Sequence, residues 1–180
     1  MTRNALARCR LCLIVILFVI ASGCAHDSSD TQRARPDAEG ERLDLGLRLT
    51  NGRWVELADL RGRPLLLFVF ATFDAVSQAT LKSLRPFVAQ HPELLVIGVA
   101  AQPRAAPLVE AWEYALDPPF PVGANPYGTV ENGESSLGKI EQVPTFIVYD
   151  AKGYEVGRAT GLLTEGDLVR LAAPVLGRED

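Results

Sequence analysis

Cysteines 9 and 12 stand two residues apart, a spacing that brings two thiols within disulfide reach or supplies half of a zinc site. Their surroundings argue against both uses. Arg3, Arg8 and Arg10 form a positive end and residues 11–20 an unbroken apolar run, the pattern of an export signal that is cut away. Cys12 lies inside that run, so both thiols leave with the signal. The run is also shorter than the roughly 20 apolar residues that a membrane-spanning helix needs. Cys24 is the third and last cysteine. The two histidines are His26, in a polar stretch, and His91, just before an apolar run. Each reads as solvent-facing, and neither stands among residues that would make a metal site or a general base. No metal or cofactor is expected.

Ala21-Ser22-Gly23 leads directly into Cys24, an arrangement that resembles the lipobox of bacterial lipoproteins. There the signal is cut before the cysteine and the cysteine carries the lipid. The match departs at Ala21, where that family has leucine. The resemblance implies lipidation at Cys24, membrane contact through that anchor, and a cell-envelope location facing the periplasm or the exterior. Ala25 is not Asp, so nothing argues for retention in an inner membrane. The same small residues fit an ordinary signal-peptidase site at the same bond, which would leave one free thiol; soluble proteins avoid exposed free thiols, which favours the lipid. Either cut removes three arginines and no acid and takes the formal net charge from −4 to −7. An acidic surface argues against nucleic acid as a partner and against direct adsorption to anionic lipid.

The elements that would position any site begin after a polar, charged stretch. Residues 24–42 lack apolar periodicity and read as a flexible tether with a reach of roughly 25 Å, between the signal at 1–23 and a single folded domain at 43–180. With 48% apolar residues over 180 positions, that domain has material for an ordinary core. Leu45, Leu47 and Leu49 alternate with other residues, and Asn51-Gly52 follows before Trp54, Val55 and Leu57, the pattern of a hairpin. The apolar runs at residues 65–70 and 94–99 predict strands buried on both faces. Leu81, Leu84 and Val88 recur between them at helical spacing, with Pro86 expected to kink or restart that helix. A βαβ unit with a parallel strand pair follows from this order.

A second helix is predicted over 104–116, with Val109, Trp112 and Leu116 on one face. The Pro- and Gly-rich stretch 117–136 reads as a surface connection holding at most one short strand. Residues 145–149 and 154–159 flank the type I turn Asp150-Ala-Lys-Gly153, and Thr164 with Asp167 approximates a capping box ahead of a last helix facing inward through Leu168, Leu171 and Val175. The fold class expected is α/β, a central mixed β-sheet with an N-terminal β-hairpin and helices on both faces.

Within this frame, the run from Val55-Glu-Leu-Ala-Asp-Leu-Arg-Gly-Arg-Pro through Leu65-Leu-Leu-Phe-Val-Phe-Ala-Thr72, the later Val143-Pro144-Thr145-Phe146 and the Asp150–Gly153 turn resemble the redoxin branch of the thioredoxin superfamily. The likeness is greatest to membrane-tethered thiol:disulfide oxidoreductases of the TlpA and ResA type, with peroxiredoxins next, and it covers residues 43–177. The resemblance implies a thioredoxin-like fold with its chemistry just after the first central strand, as Trp-Cys-x-x-Cys at a helix start. A helix N-terminus stabilises a thiolate there, and the two-residue spacer permits a disulfide. Here the matching segment is Phe73-Asp74-Ala75-Val76-Ser77: Asp74 stands at the first cysteine and Ser77 at the second.

A carboxylate is a poor nucleophile toward a disulfide, Ser77 has no neighbouring base, and peroxide reduction passes through a cysteine sulfenic acid. No catalytic residue is therefore expected. Asp74 and Ser77 read instead as a helix N-cap and its first-turn partner. The family's proline matching Pro144 is cis and holds the preceding backbone open for an extended peptide; shaping the sheet edge is the alternative role. The expectation is a binding module without redox cysteines, meeting an extracytoplasmic protein or peptide through Phe73, Asp74, Ala75, Val143, Pro144 and Thr145. The competing class is a thiol:disulfide oxidoreductase or peroxidase acting by a partner-assisted mechanism. A purely structural envelope lipoprotein is a third.

Overall fold

Residues 40–177 are described by a computed structural model, so the expected signal at 1–23, the lipidation at Cys24 and His26 lie outside the described residues. Strand β1 (Gly46–Leu49) and β2 (Trp54–Glu56) form the expected antiparallel hairpin, with Leu47 opposite Val55. Its turn depends on Gly52 at a φ of 80°, a conformation open to glycine at little cost. A 3-10 turn at Leu57–Leu60 leads to β3 (Leu65–Phe70), and helix α1 (Ala75–Gln90) returns the chain to β4 (Leu95–Ala100). Helix α2 (Ala105–Leu116), β5 (Val122–Ala124), β6 (Thr145–Tyr149), β7 (Glu155–Thr160) and helix α3 (Glu165–Ala172) complete the order.

The seven strands make one mixed sheet in the order β2-β1-β5-β4-β3-β6-β7. β3, β4 and β5 are mutually parallel neighbours, while β6 runs antiparallel to β3, with Val69 opposite Thr145. Every residue of β3 is buried because its two faces serve two cores. Leu66, Phe68 and Phe70 pack with Leu84 and Phe87 of α1, Val109 and Trp112 of α2, and Leu168 of α3. Leu65, Leu67 and Val69 pack with Leu45, Leu57, Val130 and Leu137. The three α-helices therefore cover one face, and a 3-10 turn with coil closes the other, where helical cover was also expected. The segment 126–142 carries enough apolar anchors to seal that face without forming a helix.

Two local expectations change. Helix α1 does not restart at Pro86 but continues as one element through it; a proline in a helix costs about 3 kcal/mol, while burying Leu81, Leu84 and Phe87 on its two sides gains about 1.5–3 kcal/mol each. The stretch 117–136 holds the short strand expected there, β5, but it is not all surface, since β5 is buried and inserted between β4 and β1. Its Gly123 makes that insertion possible: a Cβ there would lie 2.5 Å from the carbonyl oxygen of Arg48. Three residues with glycine in the middle are too few to show a strand period.

Candidate binding site at the start of helix α1

The first central strand ends at Phe70, and four residues, 71–74, lead into α1. Asp74 is the N-cap, with extended backbone and its amide donating to the carbonyl of Ala71 at 3.1 Å. Its Oδ2 accepts from the amide of Ser77 and from the Ser77 hydroxyl, both at 2.6 Å. One carboxylate oxygen thus satisfies an orphan helix amide and a buried hydroxyl, and its charge suits the positive helix end. Ser77 has 0% exposure. Ser77 is therefore closed off from solvent and serves as half of a cap.

Thr72, two residues before Asp74, is held from outside the loop. Gln102, 5% exposed and just beyond β4, accepts through Oε1 from the Thr72 amide at 2.6 Å and from the Thr72 hydroxyl at 3.0 Å. Gln78, in the first turn of α1, donates through Nε2 to the Thr72 carbonyl at 3.1 Å. Gln102 is not visible as a site residue in the sequence, because a contact spanning thirty positions leaves no local pattern, and Gln78 reaches Thr72 only once the chain has turned into α1.

Between these two anchors Phe73 projects with 77% of its surface exposed, beside the exposed Ala75 and Val76. The Val143–Pro144 bond is cis. Pro144 and Thr145 are buried, Thr145 donating through its hydroxyl to the Gln142 carbonyl at 2.7 Å, and Val143 is half-buried. Since Val69 pairs with Thr145, Pro144 and Val143 continue beside the end of β3, from which residues 71–73 depart. Topology thus brings the 73–75 and 143–145 segments to one end of the sheet, beside the end of β3. Among the described residues, the Val143 amide and carbonyl have no hydrogen-bond partner, although backbone groups are almost always paired when shielded from water.

A third segment joins this end of the sheet, one that sequence reading missed. Thr160 of β7 pairs with Thr145, and the next amide, Gly161, donates to the Pro144 carbonyl at 2.8 Å. Leu162, which follows, is 60% exposed. Two leucines immediately after Gly161 and before the Thr164 capping box were the available signal for an apolar loop. This end of the sheet therefore offers apolar side chains from two loops beside a backbone amide and carbonyl that are unpaired among the described residues.

His91 cannot act here. It is the C-cap of α1, and a sixteen-residue helix places it about 24 Å from Asp74. It is half-buried rather than open to solvent, with its ring 4.9 Å from that of Phe87 and Nδ1 3.3 Å from Glu93. Among the described residues no three His, Cys, Asp or Glu side chains come together in a way that could hold a metal.

No family model matches the chain, and no curated protein matches its sequence. Solved structures do match. DsbF of Mycobacterium tuberculosis shares 21% identity at a TM-score of 0.64, over 74% of this chain and 96% of its own. The exposed lipoprotein thioredoxin Etrx1 of Streptococcus pneumoniae shares 19% at 0.61, over 73% and 98%. StoA of Bacillus subtilis shares 16% at 0.58, over 74% and 98%. The fold is thioredoxin-like, and the chain's structural neighbours include thiol:disulfide oxidoreductases.

Proposed function

We propose that this chain is a lipid-anchored, extracytoplasmic thioredoxin-like module that binds an extended peptide segment of a partner protein and carries out no thiol chemistry of its own. One observation carries the reading: the amide and carbonyl of Val143, unpaired among the described residues, lie at the same end of the sheet as the exposed Phe73, Ala75, Val76 and Leu162. An extended peptide can complete that backbone hydrogen bonding, and the apolar rim supplies contact area for its side chains. The Asp74–Ser77 cap fills the positions where this fold's chemistry would require two thiols. The lipobox-like Ala-Ser-Gly-Cys24 supports the anchor, and Etrx1 offers an exposed lipoprotein of the same fold.

The second reading, an oxidoreductase or peroxidase that works with a partner's cysteines, is favoured by the kind of proteins that share the fold. The two separate in one experiment. A photoreactive phenylalanine analogue at Phe73 is introduced into the full chain in cells, alone and together with Ala75→Arg or Val143→Pro, the latter removing an amide donor. The binding reading predicts a discrete captured species that falls at least tenfold with either added substitution. Capture indifferent to both substitutions, or disulfide reduction by the purified protein above a no-protein control, would overturn it.

A further inference from the structure

We infer that Gln102 is the positioning residue that sets the orientation of Phe73, and so the readiness of the partner-binding surface; the inference rests on the binding reading above. Phe73 is almost bare, so its own side chain has little packing to fix it. Its direction comes from the backbone on its two sides. Asp74 is locked by the helix cap, and Thr72 is locked by side chains from elsewhere. All three polar groups of Thr72 are engaged: its amide and hydroxyl converge on the single Gln102 oxygen, and its carbonyl takes the Gln78 amide.

Gln102 is itself well placed to act as a fixed post. It is buried, and the adjacent Ala101 amide donates to the Phe70 carbonyl at 2.9 Å, which ties this end of β4 to the end of β3. Two donors sharing one buried acceptor define a direction as well as a distance, because each bond weakens steeply away from its preferred angle. Removing the acceptor would leave a sheltered amide and hydroxyl unpaired, and the loop would relieve that by opening toward water. The bare ring of Phe73 would turn with it. The second donor, the hydroxyl, also explains why threonine serves here: a side chain without an oxygen would engage Gln102 through the amide alone.

The test uses the full chain with Gln102→Leu, which keeps the size and removes the acceptor, and Gln102→Glu, which keeps the acceptor oxygen. Amide hydrogen exchange is followed at Thr72 and Phe73, at Ser77 within the cap, and at Val99 in the sheet. The expected result is exchange at least tenfold faster at Thr72 and Phe73 in Gln102→Leu, little change at Val99, and return toward the parent rate in Gln102→Glu. Unchanged exchange at Thr72 would overturn the inference, and so would an equal rise at Val99, which would make Gln102 a general structural residue. Should Gln102→Leu not fold, Thr72→Val removes only the hydroxyl; a rise of about threefold confined to Thr72 and Phe73 is then expected, and no rise overturns it. Capture from Phe73 is measured on the same variants. Faster local exchange with undiminished capture would leave the loop geometry standing but remove the link to binding, whereas absence of capture in the parent itself would count against the binding reading alone.

Discussion

Helices α1 and α3 begin with the same device and differ in what surrounds it. At α1, Asp74 accepts from the amide and hydroxyl of Ser77, three residues on. At α3, Thr164 accepts from the Asp167 amide at 3.2 Å, while Asp167 Oδ2 accepts from the Thr164 amide at 2.9 Å and from its hydroxyl at 2.6 Å, a full capping box. The α3 box lies at the surface and is further tied to Arg170. The α1 cap is flanked in the chain by the exposed Phe73, Ala75 and Val76, with its aspartate half-buried and its serine wholly buried. A helix start that could stabilise a thiolate has thus been given the same kind of closure as a purely structural helix. What distinguishes it is the exposed apolar side chains that flank it and the backbone of Val143, unpaired among the described residues, at the same end of the sheet.

The largest effect comes from undoing the cap in favour of sulfur. Asp74→Cys with Ser77→Cys places two thiols at the CxxC spacing and at a helix N-terminus, where thiolate is favoured. Reduction of insulin disulfides by that double variant is expected to rise at least tenfold above the parent. The equivalent pair, Thr164→Cys with Asp167→Cys, stands at an exposed box and is expected to stay near the parent's rate. If both pairs were equally active, the α1 end would hold nothing special.

Single cap deletions come next. Asp74→Ala removes the cap and also strands the buried Ser77 hydroxyl, so about 2–3 kcal/mol of stability should be lost in urea unfolding. Thr164→Ala, at the exposed box, should lose about 1 kcal/mol. Equal losses at the two sites would erase the difference in burial on which the comparison rests.

The smallest effect is in pH. Hydrogen bonds from the Thr164 hydroxyl and amide, followed by the Arg170 charge, hold the Asp167 carboxyl below its ordinary value. A carboxyl depressed in the folded state contributes stability above its unfolded value of about 3.9 and loses that contribution as pH falls through the folded value. Stability of the parent should therefore carry an acid-side decline below about pH 4 that Asp167→Asn reduces. An identical acid limb in the two proteins would show that the box adds no measurable charge term at this exposed site.

Much of this molecule is legible in its residues, for reasons that are local. The hairpins announce themselves through Asn51-Gly52 and Asp150–Gly153; the latter closes with the Gly153 amide on the Asp150 carbonyl at 2.9 Å. The α3 box is written in Thr164 and Asp167, and the α1 cap in Asp74 with Ser77 three residues on. Features built across the chain are not legible. β5 is strand only because β4 and β1 flank it, and Asn125 donates to the Gly46 carbonyl 2.9 Å away to fix the loop that follows. The Gln102–Thr72 contact and the arrival of Leu162 beside Pro144 likewise depend on which strands become neighbours. Pro86 shows the opposite imbalance: a strong local signal for a break is overruled by the three core side chains around it.

The central claim is that the surface around the α1 cap works by contact and not by thiol exchange. It is tested most directly by photocapture from Phe73 in the full chain, performed with and without prior alkylation of every accessible thiol. The account predicts the same discrete species at equal yield in both arms. Capture that disappears on alkylation, or no capture in either arm, would contradict it.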